Sequence, residues 1–534
     1  MSSIRQTWLV NGTLIDGTGA PARPMTVALE GEEVAAVLLP GERAPDTAEV
    51  IDTSGLVICP GFIDTHSHAD NVPFLAEADT SKIVQGVTTE VVGNCGFSLG
   101  PVNPADVGDL QTLMGRIFPP MEYPWASFAD FLTHADAGGY VTNYAPLVGH
   151  NVLRIAAFGS LDRAPERNEL NLMGGLLEEA LGAGAFGLSS GLIYPPGLFA
   201  AEEELATLTA RLGTDGVYAT HMRNESVHVR DSIKESLRTV AGHRGRLHVS
   251  HLKVADRAQW GQMGQVLDEL DAARDAGQAV TQDAYPYAAG GTMLTAVLPP
   301  WFHDGGSEAV LARLQSPEAL DRAERDLEHS GSRFENFALA AGWDNVVISS
   351  TGTHRHEGKS VAQLGHELGL SPLRAAAQLL AQENLIATMV MHMMDEADVV
   401  TVLQHPQTAI GSDGLPPGTG GGPHPRTFGT FPRVLGRYVR DQGALELAEA
   451  VRRMTSLPAD IFGIPKRGQV RAGFVADLVC FDPATVADGA TYEDPTVPPT
   501  GMHQVYHGGR LAVLDGNWQG HRSGRRLTPA RGGV

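Results

Sequence analysis

Two imidazoles at i and i+2 close the run Gly61-Phe62-Ile63-Asp64-Thr65-His66-Ser67-His68, and in extended backbone such side chains share one face. Neutral histidine nitrogens held in this way, at the end of an apolar strand, suit a divalent metal. Similar residues follow other apolar runs. Asn94-Cys95 comes after residues 88–92, His221 after 216–220, His251 after 247–250, and Asp413 after 409–412. Each alone has an ordinary alternative as a loop or packing residue. Together, four histidines, a thiol and a carboxylate make a nitrogen, sulfur and oxygen set that suits zinc better than magnesium or calcium. Zinc lowers the pKa of bound water to about 7, and Asp413 is placed to take a proton and pass it to a leaving nitrogen. The chemistry indicated is metal-assisted hydrolysis.

These residues need a scaffold that brings five strand ends to one rim. Eight candidate strands (residues 57–64, 88–92, 143–148, 185–189, 216–220, 247–250, 279–283 and 409–412) alternate with helical patterns such as 202–212, 230–240 and 260–276. Alternation of this kind predicts βα units and a parallel sheet. Eight of them predict an α/β (β/α)8 TIM-like barrel, whose active site lies at the C-terminal ends of the strands. Short turn-separated strands fill the first 55 residues and return at 476–482 and 504–509. We therefore expect a small β-sandwich domain built from both termini, residues 1–56 and 465–534, around a barrel at 57–464. About a hundred residues separate strands seven and eight, too many for a bare loop. They contain helices at 360–368 and 371–382, and their first part, about 288–345, is expected to form an inserted lid. Residues 418–422 read as a flexible glycine loop, and the last dozen residues as a frayed tail.

The net charge of −23, with no basic stripe, argues against nucleic acid or an anionic membrane as partner. No apolar segment reaches the roughly 18–20 residues of a membrane span, and Met1-Ser2-Ser3-Ile4-Arg5-Gln6 lacks the layout of a signal peptide. A cytoplasmic location is expected. The three cysteines, Cys59, Cys95 and Cys480, are far apart and read as thiols, Cys59 as a buried apolar residue.

The chain resembles the amidohydrolase superfamily and, within it, the N-acyl-D-amino-acid deacylases (D-aminoacylases). The resemblance rests on Pro60 to His68, Gly93-Asn94-Cys95-Gly96, Ser189 to Gly197, Thr220-His221-Met222-Arg223-Asn224-Glu225, Ser250-His251-Leu252-Lys253, Asp283-Ala284-Tyr285-Pro286-Tyr287 and Gly411-Ser412-Asp413-Gly414. It implies that Cys95, His221 and His251 hold a tight zinc, and that His66, His68 and Asp413 line a second, weaker position. It also implies that Asp413 is the general acid and base. Many relatives bridge two metals with a carboxylated lysine after strand four. Here that strand ends in Ser189-Ser190-Gly191, and the resemblance gives the role to Cys95.

The implied substrate is a small N-acyl amino acid, with D stereochemistry taken from the resemblance alone. Its carboxylate needs a cation. Lys253 shares an inward face with His251 if Leu252 packs, although a solvated lysine is the commoner case. The family uses this lysine with tyrosines matching Tyr194 and Tyr285, and Arg223 and Arg433 are further candidates. The stretch Ala288-Ala289-Gly290-Gly291-Thr292 departs from the hydroxyl-rich family pattern. Met222, Phe97, Leu298 and Trp301 are candidates for the side-chain pocket. A cyclic amidase (hydantoinase or dihydropyrimidinase) is disfavoured by the absent lysine and by Cys95, and a non-catalytic scaffold by the presence of every expected ligand. His150, His354, His356, His392, His405 and His424 read as structural, with His356 and His424 nearest the mouth.

Overall fold

The computed structural model describes residues 6–242, 244–328, 334–415 and 422–530. The chain is α/β. Eight parallel strands carry the site: β1 (Phe62–Asp64), β2 (Val87–Val92), β3 (Asn143–Pro146, resuming at Val148–Gly149), β4 (Gly187–Gly191), β5 (Val217–His221), β6 (Arg246–Val249), β7 (Val280–Ala284) and β8 (Thr408–Ile410). β1, β2 and the first part of β3 pair in one sheet, and the rest in a second. Hydrogen bonds cross both seams. Leu147 N donates to Val92 O at 2.9 Å, while Asp413 N donates to His66 O and His68 N to Gly414 O at 2.7 and 3.0 Å. Nearly every residue of these strands is buried, as expected where both faces of a parallel sheet are covered.

The expected first strand is in fact two. Val57–Pro60 pairs with residues 478–481 in another sheet, and only Phe62–Asp64 belongs with β2. The break falls at Gly61, where a Cβ would lie 2.3 Å from Thr88 Oγ1, so only glycine lets the chain pass so close. Cys59 is thus a buried residue of that other sheet, opposite Val479. This sheet has nine strands from the two ends of the chain, 6–60 and 478–518. All nine strands of the expected terminal β domain are linked by backbone pairing, and Glu33 also bridges Val475. Leu9, Val27, Val34, Ile58, Leu478 and Cys480 pack together in its fold.

Between β7 and β8, three antiparallel strands (Gly290–Met293, Val346–Thr351 and Ala387–Met391) form a small sheet, so the inserted structure continues well beyond residue 345. Its helices begin where the sequence signals them. Ser360 caps Val361–Leu368 through a reciprocal bond pair with Gln363, and Ser371 precedes Pro372 at the start of Pro372–Gln382.

The expected frayed tail is docked as far as Ala530. Gly524 N and Leu527 N donate to Tyr140 O and Tyr144 O, Tyr144 N donates to Arg525 O, and Arg526 pairs with Asp136 at 2.9 Å. Backbone pairing with the chain around β3 outweighs the flexible composition. Residues 418–421 of the glycine loop lie outside the described residues. No described helix is long and apolar enough to cross a membrane.

Candidate metal centre

Six candidate ligands emerge from the C-terminal ends of β1, β2, β5, β6 and β8. The thiol of Cys95 lies at their centre. Its Sγ is 3.3 Å from His66 Nε2, 3.4 Å from His251 Nε2 and 3.7 Å from His221 Nδ1. Asp413 Oδ1 is 3.5 Å from His66 Nε2 and 3.3 Å from His68 Nε2. A sulfur and a nitrogen bound tetrahedrally to zinc, at the usual bond lengths, are about 3.6 Å apart. The spacing therefore fits a metal, and so does the donor set, in which ligand atoms of His66, Cys95, His251 and Asp413 all lie within 4.8 Å of one another. All six groups are contiguous: His66 is nearer the thiol than His221 is, and His68 joins the cluster through Asp413.

Local backbone aims these side chains. Cys95, His251 and Asp413 have φ of +54°, +36° and +49°, a left-handed conformation that non-glycine residues rarely adopt and that clusters at functional sites. Each follows a strand and turns sharply enough to point its side chain across the rim. Burial drives His221 and His251 well below the ordinary histidine pKa, which keeps them in the neutral form that ligates. His66 is pushed up despite its burial, because Cys95, Asp413 and Asp283 surround it. Burial raises the proton affinity of Asp413, but Arg426 and His66 outweigh it and hold the carboxyl well below the usual range.

Five charged residues around the cluster were given no role by the sequence reading. Glu225 reaches both ligands of the far side, with Oε1 3.1 Å from His251 Nδ1 and Oε2 3.4 Å from His221 Nε2. Asp283 accepts from His251 N at 2.6 Å and lies 2.7 Å from His248 Nε2 and 3.6 Å from His66 Nδ1. Such carboxylates fix the orientation and tautomer of a ligating histidine. Arg426, buried, reaches Asp413 Oδ2 at 2.9 Å. Lys82, also buried, donates to Asp64 Oδ2 at 2.6 Å and to the Ser412 hydroxyl, and Asp64 Oδ1 accepts from the amides of His66 and Ser412 at 3.1 and 2.8 Å. That network ties the ends of β1 and β8 together beneath the ligands. The only sequence cues were the positions of Glu225, four residues after His221, and of Asp283 at the end of a strand.

Of the expected substrate-binding groups, Lys253, Tyr285 and Tyr194 are at the site. Lys253 Nζ is bound by both oxygens of Glu225, at 2.8 and 2.7 Å, and lies 5.7 Å from the Tyr285 ring, over which Arg426 also sits at 4.9 Å. Tyr194 OH is 2.8 Å from Thr292 Oγ1, so the glycine-rich stretch does supply one hydroxyl. Arg223 is directed elsewhere, to Glu235 at 2.8 Å and the carbonyls of Leu198 and Ala200. Arg433 pairs with Asp488. His424 is buried, donating to Ala289 O at 2.9 Å beside Tyr285 and Tyr287, whereas His356 is half-buried in a loop. Phe97 packs on Tyr194 and His68; Trp301 instead bonds Asp326 within the inserted segment.

A rim of histidines on parallel strands, with a thiol among the candidate ligands, points to one class, and residues 49–513 match the family described as the amidohydrolase family. The chain belongs to that family. It is similar to the D-aminoacylase of Alcaligenes xylosoxydans xylosoxydans, 38% identical over 523 residues that cover 97% of this chain and 96% of that protein. With the N-acyl-D-aspartate deacylase of the same organism, identity is 36% over 97% of this chain and 92% of that protein. A crystal structure of N-acyl-D-glutamate deacylase from Bordetella bronchiseptica, complexed with zinc and a phosphonate mimic of the tetrahedral intermediate, superposes with a TM-score of 0.82. Identity there is 34%, covering 98% of this chain and 99% of that one.

Proposed function

We propose that this chain is a zinc-dependent deacylase that hydrolyses N-acyl-D-amino acids to a D-amino acid and a carboxylic acid. The observation that carries this reading is the Cys95 thiol among His66, His221 and His251, in a chain whose β4 brings Ser189 and Ser190 where a lysine would otherwise stand. Similarity to three deacylases of D substrates supplies the substrate class and its stereochemistry. In this reading Cys95, His221 and His251 hold one zinc tightly, and His66, His68 and Asp413 flank a weaker second position. Zinc, when bound, supplies a nucleophile near neutral pH and polarises the amide carbonyl.

The chain's own residues do the rest. Asp413 is ionised, with Oδ2 held by Arg426 and Oδ1 facing the ligands, so Oδ1 accepts a proton and returns it to the leaving nitrogen. Arg426 and Lys253, both against the Tyr285 ring, receive the substrate carboxylate, with Tyr194 on the opposite wall. Burial of the cluster keeps bulk water away and strengthens these charge interactions. The eight parallel strands are read as one closed barrel, on the strength of the bonds across both seams. The terminal sheet is read as a separate small domain, with its boundary at Gly61, and residues 290–391 as an insertion over the barrel mouth.

The test is release of free amine from paired N-acetyl-D- and N-acetyl-L-amino acids by zinc-loaded and chelator-treated protein. The expected outcome is chelator-sensitive hydrolysis of the D series alone. Hydrolysis of neither series, or hydrolysis that survives complete metal removal, rejects the proposal.

A further inference from the structure

Glu225 is held from both sides. Its carboxylate spans His221, His251 and Lys253, and its carbonyl accepts from Ala255 N at 2.8 Å. Its amide, however, donates to the carboxylate of Glu335, a residue of the segment inserted between β7 and β8. A second bond runs the same way, from Asn224 Nδ2 to Phe334 O at 3.2 Å. Asn224 Oδ1 in turn closes the loop by accepting from the amides of Ser226 and His228 at 3.1 and 2.9 Å. The inserted side of this contact is itself anchored. Asn336 caps the helix Phe337–Ala341 by accepting from Leu339 N at 3.1 Å, and donates to Leu327 O at 3.0 Å. Glu335 is only 4% exposed, and burying a carboxylate is costly unless a specific bond compensates. Ser226 also bonds the Glu335 carboxyl group, and the bond from the Glu225 amide ties it to the residue that orients two candidate ligands.

We propose that Glu335 is a positioning residue, through which seating of the inserted segment on the Glu225 amide sets the geometry of His221 and His251, coupling metal affinity to the order of residues 334–345. The inference rests on the metal reading above. Carboxylates behind ligating histidines tune metal affinity by fixing ring orientation, and Glu335 fixes the backbone from which that carboxylate projects. Coupling between two binding events is reciprocal. If the seated segment favours zinc, zinc favours the seated segment by the same factor.

Zinc affinity is measured by competition with a chromophoric chelator, and amide hydrogen exchange is followed in peptides covering 222–228 and 334–345, with and without zinc. Wild type, Glu335→Gln and Glu335→Ala are compared. Gln retains an acceptor for the Glu225 amide, so E335Q is expected to keep wild-type affinity and zinc-induced protection. E335A is expected to lose about tenfold in zinc affinity, the lower end for residues behind the ligands. It should also lower kcat with little change in KM and lose the protection at 334–345. Zinc binding that leaves exchange at 334–345 unchanged in the wild type overturns the proposal, as does full zinc affinity in E335A. A wild type that takes up no zinc overturns the metal reading and this inference together. The wild-type exchange comparison needs no variant, so it decides the matter even if E335A does not fold.

Discussion

Asp413 is shared between two jobs that compete for its oxygens. Oδ2 is held 2.9 Å from Arg426, while Oδ1 faces His66 and His68. On the proposed reading, Arg426 both keeps Asp413 ionised and receives the substrate carboxylate. Lys253 is more committed, since both oxygens of Glu225 already hold it. A charge-assisted hydrogen bond contributes roughly 1.5–3 kcal/mol. Arg426→Met is accordingly expected to raise KM for N-acyl amino acids by about 10- to 100-fold, and by more than Lys253→Met does. Comparing N-acetyl-D-methionine with its carboxamide separates the two roles of Arg426. Equal losses on both would mean that it serves Asp413 alone.

Strand ends, more than loops, place the chemistry. Three candidate ligands sit in left-handed backbone two or three residues after β2, β6 and β8, at a cost of about 1 kcal/mol or more each. The packed strands beneath hold that strain. β8 leaves no room for anything larger than glycine at Gly411, where a Cβ would lie 2.7 Å from His66 Cβ and 2.9 Å from Thr65 Oγ1. Neither neighbour is the free end of a flexible side chain, so β1 and β8 would have to part. Gly411→Ala is expected to destabilise by about 1–3 kcal/mol, as overpacking does, and to lower zinc content. Thermal melting and metal analysis check it, and an unchanged melting temperature together with full zinc would show that β8 shifts freely.

On the scale of the whole molecule, the ends of the chain brace its centre. The nine-stranded sheet joins residues 6–60 to 478–518, and the segment beyond it returns along β3. Leu527, 6% exposed, packs with Ile63, Val91 and Ala145 from the strands. Deleting residues 522–534 removes, among other contacts, three backbone bonds to Tyr140 and Tyr144, the bond from Ala530 N to Gly463 O, the Arg526–Asp136 pair and that buried side chain. We expect a loss of about 4 kcal/mol, read as a lower denaturation midpoint, with zinc stoichiometry unchanged because no candidate ligand is touched. Loss of zinc at full fold would instead tie the tail to the site.

Periodicity and residue type decided the outline. Apolar runs followed at once by His66, His68, Cys95, His221, His251 and Asp413 are local patterns, readable along the chain because a strand and the residue after it are contiguous. The helices begun by Ser360 and Ser371 were legible for the same reason, since a cap acts within one turn. What only the tertiary structure decided depends on partners distant in sequence. Gly61 marks a change of sheet because Thr88 presses on it, and the docked tail depends on Tyr140 and Tyr144. Arg223, a plausible carboxylate clamp by composition, is claimed by Glu235, while Arg426, in a stretch without pattern, reaches Asp413. Glu225, Asp283 and Lys82 are buried charges, and a buried charge has no signature of its own: it is stable only beside its counter-charge, and folding alone brings the two together.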